Sequence, residues 1–311
     1  MAAFILRRTI AGLLTLFVIA TLSFALSRAA PGSPFSSEHA LHPEIIKNYN
    51  AYYGLDKPIL VQYARTMWGY LHGDLGPSMF YRDFSCNDLV WPGLRKSAML
   101  GLLASILAFS MGLPMGILAA ARQNRPADHF VMSVSVLGIC IPNFLLGPLL
   151  VMIFTFGLGW LPPARWPENW SPAELSKLVL PAFTLALAHV AYISRLARAG
   201  MLDVLNKDYI RTARAKGLEE KTVVLRHALK NGITPVVSYA GPMIAAVISG
   251  GIVVEFVFAI PGLGQHFVKS VTNRDYSLIM ACALVYSTLI IVMNIVVDIV
   301  YGLLDPRVRV N

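Results

Sequence analysis

The sequence has 311 residues, 56% of them hydrophobic and only 14% charged, against the roughly 25% charged residues of soluble domains. A soluble fold of this length would lack the residues to cover its surface, and the apolar residues fall in long blocks instead of alternating with polar ones, so the solvent is lipid. A net charge of +9 and a pI of about 9.6 would raise nucleic acid only alongside zinc-finger spacing, an RNA-binding signature or basic stretches interleaved with aromatics; none is present, and nucleic acid is excluded.

The first apolar block runs over 9–26, between Arg7 and Arg8 on one side and Arg28, Pro31, Gly32 and Pro34 on the other. It is longer than the about 7–15 apolar residues of a signal peptide, and Arg28 interrupts the small residues Ala25, Ser27 and Ala29, so an uncleaved first transmembrane helix is expected. Residues 29–97 are mixed and polar, with Trp68, Trp91 and many tyrosines and with short helical patterns over 43–53 and 58–70. They read as a small extramembrane cap, and 1–93 as the first helix with that cap. Hydrophobic blocks follow at about 98–121, 130–158, 178–197, 233–258 and 277–303. At 1.5 Å per residue, 20 helical residues cover about 30 Å of hydrocarbon, so each can span. The expected architecture is an all-α membrane protein of about six transmembrane helices, with a permease domain over 94–304 and a tail over 305–311. Pro and Gly within the spans (Gly112, Pro114, Gly116, Pro142, Gly147, Pro148, Gly241, Pro242) fit close packing and kinks.

Basic residues set the orientation. Arg7 and Arg8, Arg122 and Arg125, the dense segment 198–232 (Arg198, Lys207, Arg211, Arg214, Lys216, Lys221, Arg226, Lys230), and Arg307 and Arg309 lie on one side. The short loops 159–177 and 259–276 hold only Arg165, Lys177, Lys269 and Arg274. By the positive-inside rule both termini are expected in the cytoplasm. Of three cysteines, Cys140 and Cys282 lie in apolar blocks and read as small hydrophobes, Cys86 should face away from the cytoplasm, and no disulfide framework or metal-ligand spacing is visible.

The loop between the fourth and fifth spans is the informative segment: Asp208-Tyr-Ile-Arg-Thr-Ala-Arg-Ala-Lys-Gly217-Leu218, then Arg226-His-Ala-Leu-Lys-Asn231. Asp208 supplies an acidic helix start, the residues to Lys216 are mostly good helix formers, and Gly217 suits a left-handed stop. A second amphipathic helix then leads to Gly232 and Pro235. A basic helix resting on anionic lipid would account for the charge but not for this order of elements.

At these residues the sequence resembles the permease subunits of binding-protein-dependent ABC importers, whose cytoplasmic signature reads Glu-Ala-Ala, three residues, Gly, nine residues, Ile-x-Leu-Pro. Aligned on Gly217, the acidic position falls on Arg211, the alanines on Thr212 and Ala213, and the final Ile, Leu and Pro on His227, Leu229 and Lys230. The departures match the form that the peptide-importer branch uses, with RTARAKGL and RHALKN in these places. FILRR (4–8), APGSPF (30–35), GLDKPI (54–59), HGDLGPS (72–78), PGLGQ (261–265) and NRDYSL (273–278) extend the resemblance along essentially the entire chain, to the first permease subunit of oligopeptide systems. The resemblance implies a type I importer permease fold and an inner-membrane half-channel. It implies as partners a homologous second permease, two cytoplasmic ATPases carrying ATP and Mg, and an external peptide-binding protein. No cofactor is expected on this chain, which is a transport subunit and not an enzyme. In such systems the loop docks on the ATPase, which marks Asp208, Arg211, Thr212, Ala213, Arg214, Lys216, Gly217, Leu218, His227 and Leu229 as coupling residues. No GxxxxGK[ST] motif occurs, so the chain is not the ATP-binding subunit by that route.

Glu255, His189 and Asp298 are candidates for a polar passage lining, because intramembrane ionisable groups usually face the bundle interior. Against this stand hydration near the interfaces for Glu255 and Asp298, and a bond to a neighbouring helix for His189. Asp275 reads as a helix cap. An ion-coupled secondary transporter would need midplane carboxylates and inverted repeats, and a membrane enzyme clustered catalytic groups; neither pattern is visible. Dipeptides and nickel are alternative cargoes.

Overall fold

The computed structural model describes residues 2–30 and 43–304, so most of APGSPF and the tail 305–311 with Arg307 and Arg309 lie outside it. In chain order the helices are α1 (Ala2–Ala29), α2 (Pro43–Tyr53), α3 (Ile59–Leu71), α4 (Cys86–Ala121), α5 (Pro126–Cys140) and α6 (Asn143–Leu150), which continues as a π-helix over Val151–Gly157. After them come α7 (Pro172–Leu175), α8 (Val179–Leu205), α9 (Asp208–Ala215), α10 (Glu220–Thr222) with a π-helical stretch over Val223–Ala228, and α11 (Leu229–Gly232). The last are α12 (Thr234–Gly250), α13 (Ile252–Val257), α14 (Leu263–Thr272) and α15 (Tyr276–Leu304). Among the described residues, five helical segments are long and apolar enough to cross a membrane: Leu6–Ala29, Cys86–Ala121, Pro172–Leu205, Thr234–Val257 and Tyr276–Ile299. The bent pair of α5 and α6 supplies a sixth span if its arms cross together. The helices form two compact units.

The first unit comprises residues 1–97 and 260–311. Here α1 and α15 run side by side, and a Cβ on Gly12 would lie 2.7 Å from Ile291 Cγ2, so glycine permits the close approach. The opposite face of α1 exposes Leu6, Ile10, Leu13, Leu14, Phe17 and Leu22, the surface of a helix solvated by lipid. Arg8 Nε donates to Asp298 Oδ2 at 2.5 Å, so the Asp298 carboxylate joins the first and last spans.

Asp275, fully buried, organises the cap. Its Oδ1 accepts from the backbone N–H of Leu278 at 3.1 Å, capping α15, and from Met79 N–H at 3.0 Å. Its Oδ2 accepts from the Ser78 hydroxyl and from Phe80 N–H at 3.3 Å. One carboxylate thus fixes a turn 195 residues away to the start of the last span. Cys86 is completely buried, so its thiol cannot report sidedness in the folded chain. Its helix α4 also begins earlier than expected: Asn87, Asp88, Arg95 and Lys96 are polar but helix-compatible, and the hydropathy pattern does not register them as part of the span.

The second unit comprises Ala98–Ala259. A Cβ on Gly112 would meet Val190 O at 2.8 Å, and one on Gly116 would meet Ser194 O at 2.4 Å, so a small-xxx-small face lets α4 approach the α8 backbone. Ser135 and Ser194 share a hydrogen bond of 2.7 Å between α5 and α8. The block expected as one span over 130–158 is two arms meeting at 109°. Pro142 brings no N–H and disfavours the helical region for the residue before it, and Ile141 is extended at φ −85, ψ 118.

Candidate functional site

Helix α8 runs unbroken to Leu205, so Arg198, expected in the loop, is helical. Its guanidinium grips buried Asp128, with Nε donating to Oδ1 at 2.6 Å and a terminal nitrogen to Oδ2 at 2.7 Å. Asp128 Oδ2 also accepts from Asn124 N–H at 3.0 Å, and Asn124 has φ 59. The turn before α5 is therefore tied to α8. Asp128 was not singled out from sequence; the signal available was a carboxylate in the first turn after Pro126, facing a span end rich in arginine.

The loop proper starts at Asn206. In α9, Ile210 and Ala213 are buried in a cluster with Ala120, Met201, Val204, Leu205, Val223, Val224 and Ala228, against which Leu229 packs. Burying Ile210 stabilises the docked helix by about 1.5–3 kcal/mol. The other faces of α9 are exposed: Asp208, Tyr209, Arg211, Thr212 and Arg214, followed by Lys216, Gly217 and Leu218.

Gly217 has φ +76, the left-handed region that favours glycine. Its N–H donates to Arg214 O at 2.9 Å, and Leu218 N–H to Ala213 O at 3.4 Å, the paired bonds of a Schellman stop. Nothing lies within 4 Å of where a Cβ would sit, so the requirement for glycine is conformational and not steric. Across the turn, Arg214 donates to both oxygens of Glu220 at 3.0 and 2.7 Å. That bond holds the Glu220 carboxyl below its ordinary pKa, against a smaller opposing effect of burial. The Asp208–Arg211 pair, at 3.4 Å with both side chains exposed, adds little.

After Gly217 the chain is helical, but over Val223–Ala228 it widens to a π-helix, where a plain amphipathic helix was expected. His227 lies on this stretch, half-buried, with Nδ1 3.4 Å from Thr222 O. Lys230 and Asn231 are exposed, and Asn231 donates to the Tyr209 hydroxyl at 3.2 Å.

The passage candidates separate. His189 Nδ1 lies 2.8 Å from the Tyr239 hydroxyl, the bond between neighbouring helices, and Tyr239 packs at a tilt against the exposed Tyr192 with ring centroids 4.5 Å apart. Glu255 is 1% exposed and its Oε1 comes within 3.2 Å of a Cβ built on Gly251, so it sits inside its unit and not on an open wall.

Comparisons with known proteins agree over the chain's whole length. Residues 112–310 match the model of the binding-protein-dependent transport system inner membrane component, and residues 1–91 that of the N-terminal part of such membrane components. The oligopeptide transport system permease protein OppB of Escherichia coli strain K12 is 44% identical over 309 residues, 99% of this chain and 100% of that protein. The dipeptide transport system permease protein DppB of Bacillus subtilis strain 168 is 42% identical over 311 residues, 100% of this chain and 99% of that one. Among solved structures, a chain of the inward-facing methionine ABC transporter MetNI superposes with TM-score 0.54 at 17% identity, covering 70% of this chain and 96% of that one, a likeness of fold. The chain therefore belongs to the family of inner membrane components of binding-protein-dependent transport systems: it is a multi-pass permease subunit of the ABC importer class.

Proposed function

We propose that this chain imports oligopeptides as one half of a transmembrane passage, with α9 as the element through which ATP hydrolysis on partner subunits reaches the spans. The observation that carries the proposal is the two-faced character of α9. Ile210 and Ala213 anchor it in the same apolar cluster as the end of α8, while Tyr209, Arg211, Thr212, Lys216 and Leu218 are exposed. A push on the outer face is then delivered to α8 through packed side chains instead of being absorbed by slack chain. Arg211, Thr212 and Ala213 hold the positions of the family's Glu-Ala-Ala, and Gly217 its glycine.

On this reading two cytoplasmic ATPases supply ATP and Mg, a homologous second permease completes the passage, and an external binding protein delivers the peptide. Both termini and residues 198–232 face the cytoplasm and the region after the first span faces outward, a reading that the distribution of basic residues supports. His189, with Tyr192 and Tyr239, is the passage element we favour, because it forms a polar surface on α8 and α12; Glu255 is enclosed in this conformation. The dipeptide permease relative supports dipeptides as a second cargo reading.

The test is uptake of labelled peptide into vesicles carrying the full transporter. ATP on the ATPase face should drive accumulation, a disabled ATPase should abolish it, and competition by di- to pentapeptides distinguishes the cargo classes. Gradient-driven uptake by this chain alone, without ATP, would make it a secondary transporter.

A further inference from the structure

Within the first unit, a cavity of about 150 Å³ opens between the end of α1, helix α3 and the first turns of α15. We infer that it binds the phosphodiester of an outer-leaflet phospholipid whose headgroup also carries a hydroxyl or ammonium donor. Its assignment to the outer leaflet rests on the orientation proposed above.

Charge comes first. Arg28, Lys57 and Arg65 line the cavity together with a single carboxylate, Asp74, and Oδ1 of Asp74 is already engaged by Gly76 N–H at 2.9 Å. The cationic excess matches a phosphodiester. Two buried polar atoms of lining residues have no hydrogen-bond partner among the described residues: the donor Arg28 Nε and the acceptor Gln62 Oε1. The Gln62 amide is not reversed, because its Nε2 donates to Leu55 O at 3.1 Å and to Lys57 O at 2.7 Å. Buried groups of this kind are normally satisfied. A bare anion would answer Arg28 and repel Gln62 Oε1; a headgroup with both phosphate oxygens and an O–H or N–H answers both.

Position argues for a lipid. Arg28 lies in the last turn of a membrane-spanning helix, where headgroups begin. No residue of α3 is buried, and Leu60, Trp68 and Leu71 are exposed at 77%, 66% and 80%. That apolar stripe with a tryptophan, beside cations, is the composition of a helix lying in the membrane interface. An acidic protein partner would answer the charge but leave the stripe in water, whereas acyl chains cover it.

The test uses the full chain in mild detergent, titrated with phosphatidylethanolamine, phosphatidylcholine or inorganic phosphate and read by native mass spectrometry. Phosphatidylethanolamine, whose ammonium donates hydrogen bonds, should be retained in preference to phosphatidylcholine, which has the same net charge and whose headgroup offers no donor. Lys57→Gln and Arg65→Gln should each weaken retention about fivefold, while Lys57→Arg and Arg65→Lys retain lipid like the parent, which separates lost charge from misfolding. Gln62→Leu should erase the headgroup preference and leave phosphatidylcholine retention unchanged. Both membrane faces are accessible in detergent, so a wrong orientation would leave these results intact. The inference is overturned if the two lipids are retained equally, if the Lys57→Gln/Arg65→Gln double variant retains lipid like the parent, or if inorganic phosphate at equal concentration displaces the lipid.

Discussion

The cap and the coupling loop both hang from the ends of spans, yet they are fastened by opposite chemistry. The cap turn at 78–80 is held by one buried carboxylate, Asp275, that collects three backbone N–H groups and a hydroxyl. The loop helix α9 is held by Ile210 and Ala213 in an apolar cluster, with its charged side chains left outside. A polar latch is all-or-none, because removing its acceptor orphans every donor at once. Apolar docking is graded, and it commits one face of the helix while leaving the rest exposed. On the proposed coupling role, a segment met by a partner and carried with the spans suits the second arrangement.

Breaking the latch should have the largest effect. Asp275→Ala should destabilise the chain by about 4 kcal/mol or more, because several buried donors lose their acceptor together, with the cap becoming protease-sensitive while α9 stays protected. Asp275→Asn, with one acceptor oxygen left, should lose less. Truncating Ile210 to Ala should cost about 3 kcal/mol, read by thermal unfolding in detergent, and should loosen α9 without exposing the cap. Gly217→Val should cost about 1–3 kcal/mol through the left-handed backbone. We expect it to leave membrane insertion intact and to lower uptake per ATP hydrolysed, and normal coupling in an assembled Gly217→Val transporter would count against the assigned role of the turn.

The smallest effect belongs to the exposed Arg214–Glu220 pair. Glu220 is depressed below its ordinary value of 4.5 in the folded state, so its contribution is present above that pH and is lost as pH falls through the lower folded value. Screening limits it to about 0.5 kcal/mol, and Glu220→Gln should remove the pH dependence and little else.

Much of this was readable in sequence where the cause is local. Lipid-length apolar blocks identify spans because every backbone group in hydrocarbon must be paired within the helix, and Gly217 after a run of helix formers marks its stop for reasons confined to a few residues. Long-range chemistry was less legible. Asp275 reads as a cap, but its bonds to 78–80 depend on a chain that returns from 195 residues away. Asp128 reveals its role only once α5 lies beside Arg198. The polarity of Asp298 and His189 was legible, but their bonds to Arg8 and Tyr239 on neighbouring helices were not. Hydropathy marks residues 130–158 as apolar without registering the 109° bend that Pro142 introduces.

The most direct test of the coupling assignment is cysteine crosslinking in the assembled transporter, from Thr212→Cys on the exposed face of α9 and from Asp83→Cys on the exposed cap. Cys86 and Cys282 are buried and would not compete for the reagent, and the exposed Cys140 is first replaced by alanine. The Thr212 position should crosslink to an ATPase subunit in a nucleotide-dependent manner, and the Asp83 position should not. A crosslink to the ATPase from Asp83, with Thr212 silent, would contradict both the orientation and the role of the loop.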